Sequence, residues 1–385
     1  MTYSVTVIRD PDALLEVLPE WRDFMASNPH GCSFYNDPEI VELAVSHDGP
    51  SPYIVLVRRA GRLECVAPFG IHSSHFGLRL SVFKLASFSV RLLKLFGEDV
   101  VYSADADVAK CCSLIFKSMN FADFDLVYFE ALDTRSPLWE YCSATNGKRN
   151  GLRFARLARA KEQSFQIALP PTFPEYVATL GSSTRNSLKR RAKRLFADHS
   201  AKLVKITTPD QVEQFLDDAD AIFSDSWQAK TYGIVKKNSD MDVARMKHIA
   251  QQGWLSCYLL TSDLGPLACQ FGYSYGSTFY ACDFAFAQRW SALGPGAVLM
   301  YMMLEDMYLG STPRVVDLGA GDSLQKRTFR GSPRDVGDYY VLPHNRLRHV
   351  FTLQRGLSVI EAAARALLIR TGFDKVVRRV LKHKH

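Results

Sequence analysis

Two stretches of this chain present the same order of local signals, and that repetition narrows the available folds more than any other feature. In the first, around 53–132, "YIVLVRRAGRLECVAPFGIH" gives two β-rich runs about an Ala60-Gly61 turn, and "DVVYSADADVAKCCSLIFKSMNFADFDLVYFEAL" reads strand, helix, strand. In the second, around 254–320, "WLSCYLLTSDLGPLACQFGYSYGSTFYACDFAF" gives three strands separated by Gly/Pro turns. A helix from Pro295 to Leu309 and the strand "RVVDLGAG" complete it. Hairpin, strand, helix and strand therefore occur twice, with slight identity between the copies. This predicts a duplicated α/β fold, α+β in detail, on mixed sheets. At 385 residues the chain is also too long for one core. The expected divisions are 1–162, 163–345 and a tail, 346–385.

The linking segments fit that plan. "YSVTVIRD" reads as a strand, and "PDALLEVLPEWRDFMAS" has helical spacing at Leu14, Val17, Leu18, Trp21 and Phe24. "SFYNDPEIVELAVSH" is a turn and a helix. Between the copies, "SFQIAL" alternates as a strand does, "PPTFP" breaks it, and two helices flank "GSS". The second of these helices is expected to start on an N-cap serine and to bury Leu188, Ala192, Leu195 and Phe196. Its other positions carry Arg185, Lys189, Arg190, Arg191, Lys193 and Arg194, a run that fits either a solvated face or an anionic partner.

Charge is unevenly placed. The net charge is +7, yet 346–385 holds ten Lys/Arg against Glu361 and Asp374, so everything before it is close to neutral. In that tail Phe373, Val376, Val377, Val380 and Leu381 fall at helical spacing among Lys375, Arg378, Arg379 and Lys382. This pattern suits an anionic membrane surface, or a terminal helix packed on its own domain. No recognised nucleic-acid motif accompanies it. The sequence has no run of eighteen apolar residues, and its beginning lacks a signal-peptide pattern, so a cytoplasmic location is expected. The eight cysteines form no CxxC pair and sit mostly in apolar runs, reading as buried free thiols. The ten histidines have no zinc-site spacing, so no metal is expected.

Gly294-Pro295-Gly296-Ala297 opens the helix of the second copy. A helix start leaves N–H groups unpaired and carries partial positive charge. Glycines let a ligand approach the backbone, and proline is tolerated at the first helical position. Such a mouth is either a plain junction or a seat for an anion. The corresponding "YSADADVAKCC" of the first copy has Asp105 and Asp107 instead. Carboxylates there cap a helix and repel phosphate, so any anionic ligand belongs to the second copy.

The ordered pieces "TFPEYVATLGSSTRNSLKRRAKRL", "SDSWQAKTYG", "PLACQFGYSYGSTFYACDFAFAQRWSALGPGAVLMYMMLEDM" and "RVVDLGAGDSLQKRTFRG" resemble the CelD/BcsL-type acetyltransferases of the GNAT superfamily, related to Fem-type aminoacyl transferases. The match covers about 170–332, and "SFYNDPEIVELA" resembles their N-terminal lobe more weakly. The resemblance implies two GNAT-like lobes plus a basic helical tail, the first lobe lacking a phosphate loop. It implies acyl-CoA, acetyl-CoA above all, as co-substrate. Gln288 and Arg289 would open the loop, and Gly294, Gly296, Ala297 and Val298 would offer N–H groups to the diphosphate. The acceptor it implies is a saccharide or other small molecule of polysaccharide or cell-envelope metabolism. The loop departs from longer Gly-rich turns of the superfamily, and Fem-type relatives use a charged tRNA instead.

Acyl transfer needs a proton acceptor and something to polarise the carbonyl. Asp283, at the end of a strand, is one candidate, or simply pairs with a neighbour. Asp317 sits among β-branched residues, where a carboxylate requires a partner, and Lys326 or Arg330 is expected to supply it. Lys326 is a candidate for the transfer site by resemblance, or half of a structural pair. Trp227, Lys230, Tyr232 and Tyr280 are candidates for the acceptor groove. Three functions follow: acyl-CoA-dependent transfer, Fem-like transfer from tRNA, and non-catalytic binding at a membrane surface.

Overall fold

The computed structural model describes residues 2–370 apart from 29–31, 47–48, 81–82, 145–147, 150, 158–161, 227–228, 230–238 and 311–312. The chain divides into two compact units, one formed by 1–162 with the chain from Asp335 onward, the other by Gln163–Arg334.

The first unit begins with β1 (Tyr3–Ile8), helices α1 (Pro11–Ser27) and α2 (Pro38–Val45), then β2 (Ser51–Arg59), β3 (Arg62–Leu80), β4 (Phe83–Leu95) and the short β5 (Val101–Tyr102). Helix α3 (Val108–Ser118), β6 (Leu126–Asp133), α4 (Pro137–Ala144), β7 (Lys148–Arg149) and β8 (Leu152–Ala155) follow. The apolar run of β2 is buried on both faces, which explains its lack of polar alternation. Tyr53, Val55 and Val57 pack toward α3 and α4, whereas Ile54 and Leu56 pack toward α1 and α2. The turn between β2 and β3 has positive φ at both Ala60 and Gly61, as a tight hairpin requires.

The second unit opens with β9 (Glu162–Ala168), α5 (Phe173–Thr179), α6 (Ser182–Asp198) and β10 (Lys202–Ile206). Helices α7 (Val212–Ser224) and α8 (Asp240–Gln251) come next, followed by β11 (Cys257–Ser262), β12 (Gly265–Tyr275) and β13 (Thr278–Phe286). It ends with α9 (Pro295–Met307), β14 (Val315–Ala320) and the single turn α10 (Leu324–Thr328). Strand β15 (Ser332–Leu342) then leads into the first unit, which finishes with α11 (Leu347–Arg370).

Strand order and sense are the same in both units. In the first, β1-β2-β3-β4 are antiparallel neighbours, β4 and β6 are parallel with α3 between them, and β15 closes antiparallel to β6. In the second, β10-β11-β12-β13 are antiparallel, β13 and β14 are parallel with α9 between them, and β9 closes antiparallel to β14. Among the described residues each unit also inserts two α-helices between its first two strands. The closing strands differ in origin, since β9 precedes the rest of its unit and β15 follows the rest of its own.

Three details depart from the sequence reading. Pairing of β15 with β6 and β8 draws the chain from Asp335 into the first unit, ahead of the 345 boundary, and the 346–385 segment begins as α11 there. Helix α6 is capped by Gly181, with no side-chain cap bond, instead of by a serine. Its buried face is Leu188, Ala192 and Leu195, while Phe196 lies exposed. The residues Phe373 to Leu381 of the expected tail helix lie outside the described residues.

Candidate active site

The mouth of α9 is built by Gly294, which caps the helix in the left-handed conformation (φ 66°, ψ 44°), a cost that only glycine avoids. Pro295 takes the first helical position. The amides of this turn are mostly spoken for. Gly294 N–H donates to Ser291 O (3.0 Å), and the N–H groups of Ala297 and Val298 both donate to Gly294 O (3.2 Å each). Pro295 has no N–H, so Gly296, itself buried, holds the one N–H of this turn with no acceptor within it. Four backbone donors were expected here; the tight first turn reduces them to one.

A cationic side chain stands beside that donor. Arg191 reaches from α6 against Gly294, so that a Cβ at Gly294 would collide with its guanidinium. Arg191 has no ion-pair partner among the described residues. A cation beside the positive end of a helix is electrostatically unfavourable when alone. An anion placed between the two reverses the sign of both interactions.

The cavity at this point measures about 680 Å³. Its polar wall is Ser183, Thr184, Ser187 and Arg191 of α6, with Gln325 and Thr328 of α10 opposite. Its apolar wall includes Phe284 and Phe286 of β13 and Phe329. Gly296 is needed there for space, since a Cβ would sit 2.8 Å from Phe284 Cζ and 3.1 Å from Phe286 Cδ1. Among the described residues the lining contains no carboxylate or imidazole. The lining thus has a cation and a helix start at one end and an apolar wall beyond them.

A bulge in β13 decides which of its side chains reach the cavity. Gly272 pairs with Ala281 and Gln270 with Phe284, so β13 spends one more residue than β12 and its alternation changes phase. Phe279, Ala281, Phe284 and Phe286 consequently share the face covered by α6 and α9. The buried Gln270 amide plugs the bulge, donating to the carbonyls of Phe271, Cys282 and Asp283 (2.8, 3.3 and 3.2 Å). Tyr280 falls on the opposite face, paired with Tyr273 and Asp317, and does not line the cavity. Asp283 is exposed at the bulge, one residue before Phe284.

The remaining candidates separate by role. Asp317 is buried, accepting from Gln166 Nε2 (2.8 Å) and Gly319 N (2.7 Å), with Arg334 Nη2 at 3.4 Å. Its expected partners are engaged elsewhere. Lys326 Nζ donates to Gly319 O and Ala320 O (2.9 and 2.8 Å), and Arg330 Nε donates to Thr179 O (3.1 Å). Burial pushes the Lys326 ammonium below its ordinary value, against the pull of Asp317 and Asp322. Lys326 is therefore a staple of the β14–α10 loop, outside the cavity lining. Gln288 and Arg289 are likewise outside it: their N–H groups donate to Asp225 O and Asp225 Oδ2 (3.1 Å each) and dock the loop onto the end of α7. Trp227, Lys230 and Tyr232 lie outside the described residues.

Sequence reasoning missed Ser183, Ser187 and Arg191 as a set, although their i, i+4, i+8 spacing marks one stripe of α6 beside its buried face. The first unit confirms the contrast at its own helix start. There Glu64, buried, accepts from Asp107 N (3.0 Å) and pairs with Arg59 (2.7 Å), while Asp107 caps Lys110 N (3.0 Å). Here the protein's own carboxylates stand at the helix start, where α9 has glycines instead.

Residues 182–327, wholly inside the second unit, match the family described as acetyltransferase (GNAT) domain. Among solved structures the chain is similar to FemX (TM-score 0.58, 10% identity, 88% of this chain and 97% of that one). It is also similar to a tandem GNAT protein from the clavulanic acid biosynthesis pathway (0.51, 12%, 88% and 98%). L-PGS from Bacillus licheniformis is a third (0.50, 12%, 91% and 97%). No curated protein matches. The fold is that of tandem GNAT proteins. The acetyltransferase-domain match falls on the second unit, the one that holds the Gly294–Ala297 helix start.

Proposed function

We propose that the protein is an acyltransferase that takes its acyl group from acyl-CoA, with acetyl-CoA as the first donor to test. The observation that carries this reading is the Gly294–Ala297 mouth with Arg191 beside it, at one end of a cavity walled by Phe284 and Phe286. The diphosphate of CoA sits between Gly296 N–H and the Arg191 guanidinium. The pantetheine arm runs along the two phenylalanines. Asp283, exposed beside Phe284, takes the proton of the attacking amine or hydroxyl, directly or through water.

The acceptor we assign is a saccharide or related envelope building block. Its support is the ordered likeness of 170–332 to CelD/BcsL-type acetyltransferases. Titration calorimetry of the full chain with acetyl-CoA tests the donor. Saturable binding that acetyl-pantetheine, lacking the diphosphate, fails to reproduce supports it; no binding of either overturns it. A second reading, transfer from a charged tRNA, is favoured by Lys189, Arg190, Lys193 and Arg194, which lie exposed along α6, the helix that contributes Arg191 to the cavity. A mobility shift with tRNA that weakens steeply with salt, in a protein blind to CoA, would replace the first reading with this one.

A further inference from the structure

Beyond the sheet of the first unit, β3 and β4 continue as a bare two-stranded arm. Strand β2 pairs with β3 only as far as Ile71, and β6 pairs with β4 only over Leu92–Lys94, whereas β3 and β4 stay paired out to Leu80 and Phe83. A ribbon of two strands is marginal alone. Helix α11 supports this one on a single face: Phe351 stacks on Phe76 (6.0 Å), and the Gln354 side chain bonds the Arg79 backbone at both N–H and C=O (2.7 and 3.2 Å). Large apolar side chains lie exposed on both elements, those of α11 on the side turned away from Phe351 and Gln354. On the arm Leu85 is 58% and Phe88 42% exposed; on the helix Leu353 is 55% and Ile360 61% exposed. A groove of about 420 Å³ runs over Leu353, Gly356 and Ile360.

We propose that this arm and α11 together dock on an anionic lipid surface. Charge decides the occupant. Between Ile71 and Gly97 the chain has Arg79, Lys84, Arg91 and Lys94 and no carboxylate. Over 347–370 it has four arginines against Glu361 alone, and the sequence beyond adds more cations. Lys94 and Arg91 are paired with Glu130 and Asp125, but Arg79, Lys84 and Arg355 stand exposed with no ion-pair partner among the described residues. A second copy of the same face would set these cations against one another. Apolar side chains ringed by unpaired cations match the boundary of an anionic bilayer, where acyl chains take the first and headgroups the second.

The test is co-sedimentation of the full chain with phosphatidylglycerol–phosphatidylcholine vesicles against phosphatidylcholine alone, with light scattering in parallel. The expected result is binding to the anionic vesicles only, lost progressively with salt. Lys84→Gln should lower partitioning about fivefold. Leu85→Asp and Leu353→Asp should each lower it by at least about tenfold. Thermal unfolding checks that these exposed substitutions leave the fold intact, and Lys84→Gln carries the test if the leucine variants do not fold. Equal binding to neutral vesicles, wild-type binding by Lys84→Gln, or a dimer dissociated by Leu353→Asp without vesicle binding would each overturn the proposal. Affinity for acetyl-CoA is a separate readout, so either reading can fail alone.

Discussion

Replacing Arg191 by Gln should change ligand affinity and stability in opposite directions. The guanidinium stands at Gly294, beside the positive end of α9, and among the described residues it meets no carboxylate. In the free protein this placement costs about 0.3–1 kcal/mol. Arg191 is exposed and contributes little packing, since the buried face of α6 is Leu188, Ala192 and Leu195. Its removal should therefore leave the apo protein equally stable or more stable by a few tenths of a kcal/mol. With acyl-CoA bound, the same group supplies a charge-assisted contact to a diphosphate, worth about 1.5–3 kcal/mol. That converts to roughly a 10- to 100-fold rise in Kd. The tightness of the first turn, which leaves only the Gly296 N–H without an acceptor inside it, argues for the upper part of that range. Calorimetry gives the Kd, and urea unfolding gives the stability. Acetyl-pantetheine should bind wild type and Arg191→Gln alike. An unchanged acetyl-CoA affinity would refute the reasoning. So would a loss of apo stability by more than about 1 kcal/mol, because Arg191 would then be a structural residue.

Three further changes probe the surrounding frame. Gly296→Ala puts a methyl group 2.8 Å from Phe284 and 3.1 Å from Phe286, and should cost about 1–3 kcal/mol while narrowing the cavity, read by thermal unfolding and by acetyl-CoA titration. Asp317→Asn should lower stability by about 2–3 kcal/mol, because Arg334 loses its buried counter-charge, yet leave kcat of the folded fraction unchanged; a large fall in kcat at unchanged stability would return Asp317 to the reaction. In the first unit burial raises the Asp99 carboxyl to about 7, opposed by hydrogen bonds from Val100, Ser136 and Leu138. The folded state then keeps a proton that the unfolded chain has already released. Stability from this group is full below the unfolded pKa near 4 and is lost as pH rises through about 7. Asp99→Asn should flatten that decline and be the more stable protein at pH 8; parallel stability–pH curves for the two would exclude the effect.

What the sequence disclosed depended on how local the cause was. The turn at Ala60-Gly61 and the mouth at Gly294-Pro295-Gly296 were legible because backbone sterics fix them within a few residues. The repeated element order was legible because burial on both faces leaves continuous apolar runs such as 53–57. Asp317 shows the opposite case. Lys326 and Arg330 looked like its partners by nearness in the chain, but pairing between β9 and β14 brings Gln166 across from 151 residues away, and the start of β15 brings Arg334. Tyr280 lies on the face away from Phe284 and Phe286 because β13 holds one extra residue, and a bulge, which no local pattern announces, reverses every inward and outward position beyond it. The long arm of β3 and β4 went unread because serines, histidines and Gly77 interrupt its alternation. Arg191 was visible only as one cation among six. No pattern within α6 says which of them meets a loop a hundred residues later.

The two helix starts show why a duplicated chain would open only one of its halves to an anion. Both units place a helix between parallel strands, and both helix mouths carry partial positive charge. In the first unit Glu64 lies on β3, close enough to accept from Asp107 N, and Arg59 balances it. That mouth is neutralised within the fold and gains stability at every ligand concentration. In the second unit the mouth has a glycine cap, one amide with no acceptor in the turn, and a cation that makes the apo state worse. Such a site is stable only in proportion to the ligand present. Exchanging the two chemistries should follow the same logic. Glu64→Gln should destabilise the first unit by about 1–3 kcal/mol, because Arg59 keeps its charge without its buried partner, and it should create no affinity for CoA while Asp105 and Asp107 remain. Acetyl-CoA should raise the unfolding temperature of the wild-type protein, and Arg191→Gln should remove most of that rise. A Glu64→Gln protein that retains the full acetyl-CoA shift places the ligand in the second unit; one that loses it would mean that the first unit holds the donor, and the assignment of the two halves would have to be reversed.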